Sequence, residues 1–169
     1  MNVRLQCALA FLERTGVSSK VHSGRTLMDH LRGTHDILSE WEQDEATCLA
    51  GLCHSVYGTR TYRSELGIAR SDLREVVGAD AEALTWRFRM IHLYERAAVV
   101  RQPALICTLC PALRAIYLIG LANLVEQAGH VSTRKLGSAP ERYRSIVRTF
   151  GPEFPSAARD ALPTALRDR

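Results

Sequence analysis

The sequence predicts an all-α fold, and three observations carry that prediction. Apolar residues recur at helical spacing in nearly every segment, and none alternates convincingly as a strand would. Glycines and prolines stand where helices should stop and start. The chain has 169 residues, 46% of them hydrophobic and 24% charged, which suits one domain with a real core.

The elements follow in order. Residues 2–15 read as a first helix, stopped by Gly16. A Ser- and Gly-rich loop from Val17 to Gly24 leads into a second helix, Arg25 to Trp41. There Leu27, His30, Leu31, Thr34, Ile37, Leu38 and Trp41 share one face. A third helix runs from Ala46 to about His54; it is apolar all round and is therefore expected to be buried. Ser55 to Arg70 reads as loop and turns, after which Ser71 is expected to cap a short helix that ends at Gly78. A long helix covers Ala79 to Arg101 and is broken by Pro103. Pro111 starts another that runs to Gln127, with Gly129 closing it. Beyond His130 only Glu141 to Phe150 reads as helix, and Pro152, Pro155 and Pro163 predict an irregular tail. The expected division is a helical domain over 1–130 with an appendage over 131–169 packed on it.

Composition narrows the function. No apolar run reaches the ~18–20 residues needed to span a bilayer, and the N-terminal stretch does not read as a signal peptide. Five cysteines, an odd number, fit reduced thiols better than a disulfide framework, so a cytoplasmic protein is expected. The net charge of +4 is almost wholly arginine, since Lys20 and Lys135 are the only lysines. Those arginines are scattered, which argues against a nucleic-acid partner and leaves a small polar or anionic ligand. A homo-oligomer is left open. Cys107-x-x-Cys110 has half-zinc or redox spacing but lacks a second pair, so buried thiols beside a helix start are the expectation.

The residues that carry chemistry cluster early. His30 lies on the apolar face of the second helix, and His54 ends the buried third helix. A lone histidine on such a face is usually a satisfied core residue, but two of them can pair around a ligand or metal. His22 precedes Ser23-Gly24 and can reach toward His30; Arg25 stands at the expected start of a helix, where an anion is favoured. Tyr57 and Thr59 follow His54 on a loop expected to overhang the cavity. Histidines, a tyrosine hydroxyl and an arginine are the parts of a general acid–base site. The opposing reading makes His22 and Arg25 capping residues and Tyr57 packing. The literal dipeptide His35-Asp36 is turned away from the Leu31 face.

The run SGRTLMDHL resembles the SG-x5-H opening of the HD domain of bacterial alarmone (guanosine polyphosphate) hydrolases. CLAGLCHSVYGT resembles that family's A-A-x-L-H-D segment, SDLREVVGADAEALTWRF its next helix pair, and LIGLANL its last ligand station. Order and spacing hold over about residues 20–127. A closer likeness is to an uncharacterised bacterial family of HD-like domains with D-H and H-S-x-Y-G-T motifs. The resemblance implies an HD-like bundle of about six to eight helices. It places His30 and His54 at two metal-ligand stations, Ser55 where a ligating aspartate belongs, and Asn123 where the last carboxylate does. Two imidazoles, a hydroxyl and an amide lack the anionic ligands that hold a dication. Alarmone hydrolysis and a bound metal are therefore not expected; a Mn, Fe or Zn ion, if held, would use His22, His30 and His54.

The reading is a small-molecule enzyme of lyase, isomerase or hydrolase type, suited to specialised metabolism. Its catalytic candidates are His22, His30, His54 and Tyr57, with Arg25, Ser55, Thr59 and Asn123 on the ligand and no cofactor. Three alternatives stay open: a metal-dependent HD-type phosphohydrolase or iron oxygenase with altered ligands, a non-catalytic binding or regulatory module, and a structural or interaction protein.

Overall fold

A computed structural model describes residues 2–22, 24–59, 62–94 and 110–167. The fold is all-α. Helices α1 (Val3–Arg14), α2 (Leu27–Glu40), α3 (Glu45–Cys53), α4 (Arg70–Val77), α5 (Ala79–Tyr94) and α6 (Pro111–Ala128) are followed by α7 (Thr133–Leu136), α8 (Ala139–Phe150) and α9 (Ser156–Arg167). Among the described residues no helix is long and apolar enough to cross a membrane.

Side-chain caps set three of the starts. Asn2 accepts from the Leu5 amide for α1, Thr26 from Asp29 for α2, and Asp44 from Thr47 for α3. The second helix buries Leu27, Met28, His30, Leu31, Thr34 and Leu38, the stripe expected of its sequence. Every residue of α3 from Thr47 to Cys53 is buried. At Gly51 a Cβ would collide with the Leu38 side chain, which fills the space beside the glycine, so α2 packs closely on α3 there. That close approach brings the ends of the two histidine-bearing helices together.

Three expectations are corrected. The loop before α2 holds a two-stranded ribbon, β1 (Val21–His22) against β2 (Arg25–Thr26), too short for any periodicity to reveal. Helix α4 starts one residue before Ser71 and is capped by Ala69 without a side-chain bond. The tail is not irregular: α9 continues through Pro163, and Pro152 opens only a single turn, Gly151–Glu153. The end predicted for the long helix, at Arg101 and Pro103, lies outside the described residues.

Two apolar clusters make up the core. One joins α1, the first half of α2, part of α3, and α4 through Leu12, Leu31, Leu52, Leu73 and Val77. The other joins the end of α2, α5, α6 and the C-terminal helices through Leu38, Phe88, Ile119, Tyr143 and Phe150. Helices α2 and α3 belong to both. Residues 136–158 bury side chains in the same cluster as α6, so the segment after residue 130 shares its core.

Candidate functional site

The β1–β2 ribbon pairs His22 across from Arg25 and points the chain into α2. It thereby sets His22 and Arg25 beside the first turns of α2, where His30 is fully buried. The His22 and His30 rings lie 4.4 Å apart between centroids. His54, at the C-terminal end of α3 and 1% exposed, meets His30 with Nε2 to Nε2 at 3.2 Å. Sequence reasoning therefore placed these two histidines together, and the structure does so.

The carboxylate of the site was not found that way. Glu126 of α6 reaches across α2 and contacts both His30 Nδ1 and the Arg25 guanidinium. Gly33 makes this approach feasible: a Cβ there would lie 3.0 Å from Glu126 Cγ. His130, one turn further along, stands 3.8 Å from the same carboxylate. The signal was present, because Glu126 is the only acid in PALRAIYLIGLANLVEQA. An acid alone on an apolar helix must be paired when it is buried. Asn123 lies one turn earlier, where its Oδ1 accepts from Gln127 at 3.0 Å; it lines a cavity wall but does not hold either histidine.

The proton positions follow from the partners. Nδ1 of His54 lies 2.8 Å from the Gly51 carbonyl, which can only accept, so Nδ1 carries a proton and, in the neutral ring, Nε2 keeps the lone pair. An ion pair with Arg25 favours the ionised form of Glu126, which then accepts a proton from His30 Nδ1. Burial first, and then the neighbouring His54, His22, Arg25 and His130, hold the His30 pKa well below the usual histidine range. His30 is therefore neutral, and the lone pairs of two imidazoles converge. His22 is shifted downward too, by burial first and then by Arg25.

His54 opens onto a cavity of about 400 Å³ that Ser55, Thr59, Asn123, Gln127 and residues of α7 and α8 also line. His22 reaches it; Tyr57 and Arg25 do not. Both are corrections. Gly58, at φ +81°, turns the chain after Tyr57, and the Thr59 amide bonds the Tyr62 carbonyl at 2.7 Å, which folds Tyr62 back to the cavity instead. The Tyr57 hydroxyl finds Glu82 at 3.3 Å and its ring meets Trp86. Arg25 is committed to Glu126 rather than to a ligand. Cys107 lies outside the described residues; Cys110 is exposed, not buried, while Cys48 and Cys53 are buried, as expected of the apolar third helix. His35 pairs with its neighbour Asp36 at 2.9 Å.

The residues present do not fit an HD-type metal centre. Among the described residues no group of three or more His, Cys, Asp or Glu is arranged to hold a metal ion. Only two imidazole nitrogens converge, and the nearest carboxylate is engaged on the far side of His30.

The model of a domain family of unknown function, DUF6817, matches residues 11–92, just under half of the chain. That stretch carries His22, His30 and His54 and stops short of α6, which supplies Glu126. No curated protein and no solved structure matches the chain.

Proposed function

We propose that this protein is a small-molecule enzyme that performs acid–base chemistry at His54, on a diverged HD-like scaffold that works without the family's metal-binding aspartates. One observation carries the reading: two buried imidazoles face each other through Nε2 at 3.2 Å, each fixed by a hydrogen bond at Nδ1, at the head of a polar cavity. The meeting of the two histidines expected at HD stations supports the scaffold.

The chemistry follows from the proton positions. His54 lines the cavity and takes a proton from the ligand, which keeps the electron pair of the broken bond. That proton is then held between His54 Nε2 and the lone pair of His30 Nε2. The positive charge is offset by Glu126 through the His30 Nδ1–H bond. Returning the proton to another atom of the ligand completes an isomerisation or elimination. Glu126 and His30 do not touch the ligand; they are positioning residues that make His54 a better base.

The test is a thermal-shift screen of small polar and anionic metabolites, followed by product detection with each stabilising compound. A substrate should be converted by the wild type and bound but turned over ~10²–10⁴-fold more slowly by His54→Gln. Compounds that bind and emerge unchanged from the wild type would favour the non-catalytic binding module.

A further inference from the structure

We propose that the cavity recognises its ligand through a neutral amide group whose carbonyl and N–H lie side by side, seated on the paired amides of Asn123 and Gln127. The inference rests on the cavity reading above and names the substrate class of that site. Both side chains line the cavity from α6, one turn apart, and Gln127 Nε2 donates to Asn123 Oδ1 at 3.0 Å. That bond fixes the two amides against each other and leaves Asn123 Nδ2 as a donor and Gln127 Oε1 as an acceptor. Among the described residues neither atom has a further partner. Turning both amides over exchanges the two roles and leaves the same pattern, one donor beside one acceptor. Ser55, only 3% exposed, lines the same cavity, and its hydroxyl too lacks a partner among the described residues. Polar groups inside a protein are ordinarily hydrogen-bonded, so an open donor, acceptor and hydroxyl around one space call for a ligand that completes them.

The pattern selects among ligand classes. A carboxylate or phosphate offers acceptors only and would set an oxygen against Gln127 Oε1. The cations nearby do not alter this: Lys135 is exposed, and Arg142 lies against the Tyr143 ring and has a further partner of its own. A secondary amide in an open chain is trans, with C=O and N–H on opposite sides, so it meets one member of the pair but not both. A primary carboxamide, or a ring that holds the amide cis as a lactam or cyclic ureide does, places both groups on one edge. A volume of about 400 Å³ lies at the small end of ligand cavities and suits a single substituted ring. The carbonyl also acidifies the hydrogens beside it, the kind of proton that a base at His54 takes up.

Hydantoin, a cyclic ureide, titrated into ¹⁵N-labelled full-length protein tests the pair through the side-chain NH2 signals of Asn123 and Gln127. Both should shift along one saturating curve. N-methylacetamide, which is trans, and acetate should bind about tenfold more weakly or leave the signals in place. Gln127→Met, close in size but without the acceptor, should weaken hydantoin by about fivefold or more. The comparison of the three compounds is made on the wild type, so it decides the matter even where the variant does not fold. Signals that ignore hydantoin would leave the pair to water, and acetate binding as well as hydantoin would make the cavity an anion site. Either result overturns the inference, as does an affinity unchanged in folded Gln127→Met. His54→Gln separates the two readings: it should bind hydantoin as the wild type does, so the pair can stand where turnover at His54 fails, and turnover can stand where the pair fails.

Discussion

Among the described residues two carboxylates are buried, Glu82 and Glu126, and their surroundings differ. Glu82 of α5 is completely inaccessible, and its oxygens accept from Arg70 at 2.5 and 2.9 Å, Arg74 at 3.2 Å and Tyr57 at 3.3 Å. Arg70 in turn lies over the Trp86 ring at 4.6 Å. The hydrogen bonds from Arg70, chiefly, hold the Glu82 carboxyl below its ordinary range, while burial and then Glu82 push the Tyr57 phenol up. Every partner there is a group that keeps its proton at neutral pH. Glu126 instead has one arginine, and its second partner is a histidine whose other nitrogen faces a second histidine and, beyond it, a cavity. The first arrangement is saturated and locks α4 to α5. The second passes its charge to a group that can change protonation. Burial of an acid by itself marks neither; the partner's ability to titrate is what separates a clamp from a site.

The largest expected difference is in stability. Glu82→Gln removes the charge that three donors share and should lower unfolding free energy by about 2–4 kcal/mol, read by chemical denaturation. Ligand binding in the cavity should stay as in the wild type. A loss of binding with stability intact would mean that the Glu82 cluster belongs to the site.

Acid should attack the two regions in sequence. His30 has a folded-state value below that of the unfolded chain, so below about pH 6.5 the unfolded state takes up a proton that the native state refuses. Stability then falls with pH by up to ~1.4 kcal/mol per unit for such a histidine. Glu82 is also depressed, so its contribution is full above the ordinary carboxylate value, about 4.3, and is lost only as pH falls further. His30→Gln should flatten the first arm and leave the second. An unaltered slope between about pH 5 and 6.5 would show that His30 is not the neutral buried group described.

The smallest effect separates the regions most cleanly. Tyr57→Phe removes one hydroxyl from the Glu82 cluster and should cost no more than about 1–1.5 kcal/mol, seen in thermal melting. Ligand affinity and turnover should not change. A tenfold loss of turnover would return Tyr57 to the catalytic machinery that its sequence position suggested.

How far the sequence led is visible in the same residues. The helical faces of α2 and α3 were legible because their apolar spacing is dense, and that spacing put His30 and His54 on the core side. Which loop residue would turn inward was not legible. Tyr57 and Tyr62 are both tyrosines on one loop, and the choice between them rests on the turn at Gly58 and on a carboxylate 25 residues further along the chain. Glu126 was missed for a related reason. The family pattern points to Asn123, whereas the side chain that the apolar helix cannot leave unpaired is Glu126. One wall of the cavity, from Lys135 to Tyr143, lies beyond residue 130, where composition suggested only an appendage.

The central claim is that the Nε2 lone pairs of His30 and His54 converge, with both protons on Nδ1. Long-range ¹H–¹⁵N correlation spectra of the histidine rings at neutral pH measure this directly, with His30→Gln and His54→Gln assigning the signals. Both Nδ1 atoms should show the shift of a protonated, pyrrole-type nitrogen and both Nε2 atoms that of an unprotonated one. Glu126→Gln, which weakens the hold on His30 Nδ1, should disturb the His30 pattern, whereas Glu82→Gln should leave it as it is. A proton on Nε2 of either ring in the wild type, or a His30 imidazolium at neutral pH, would contradict the account.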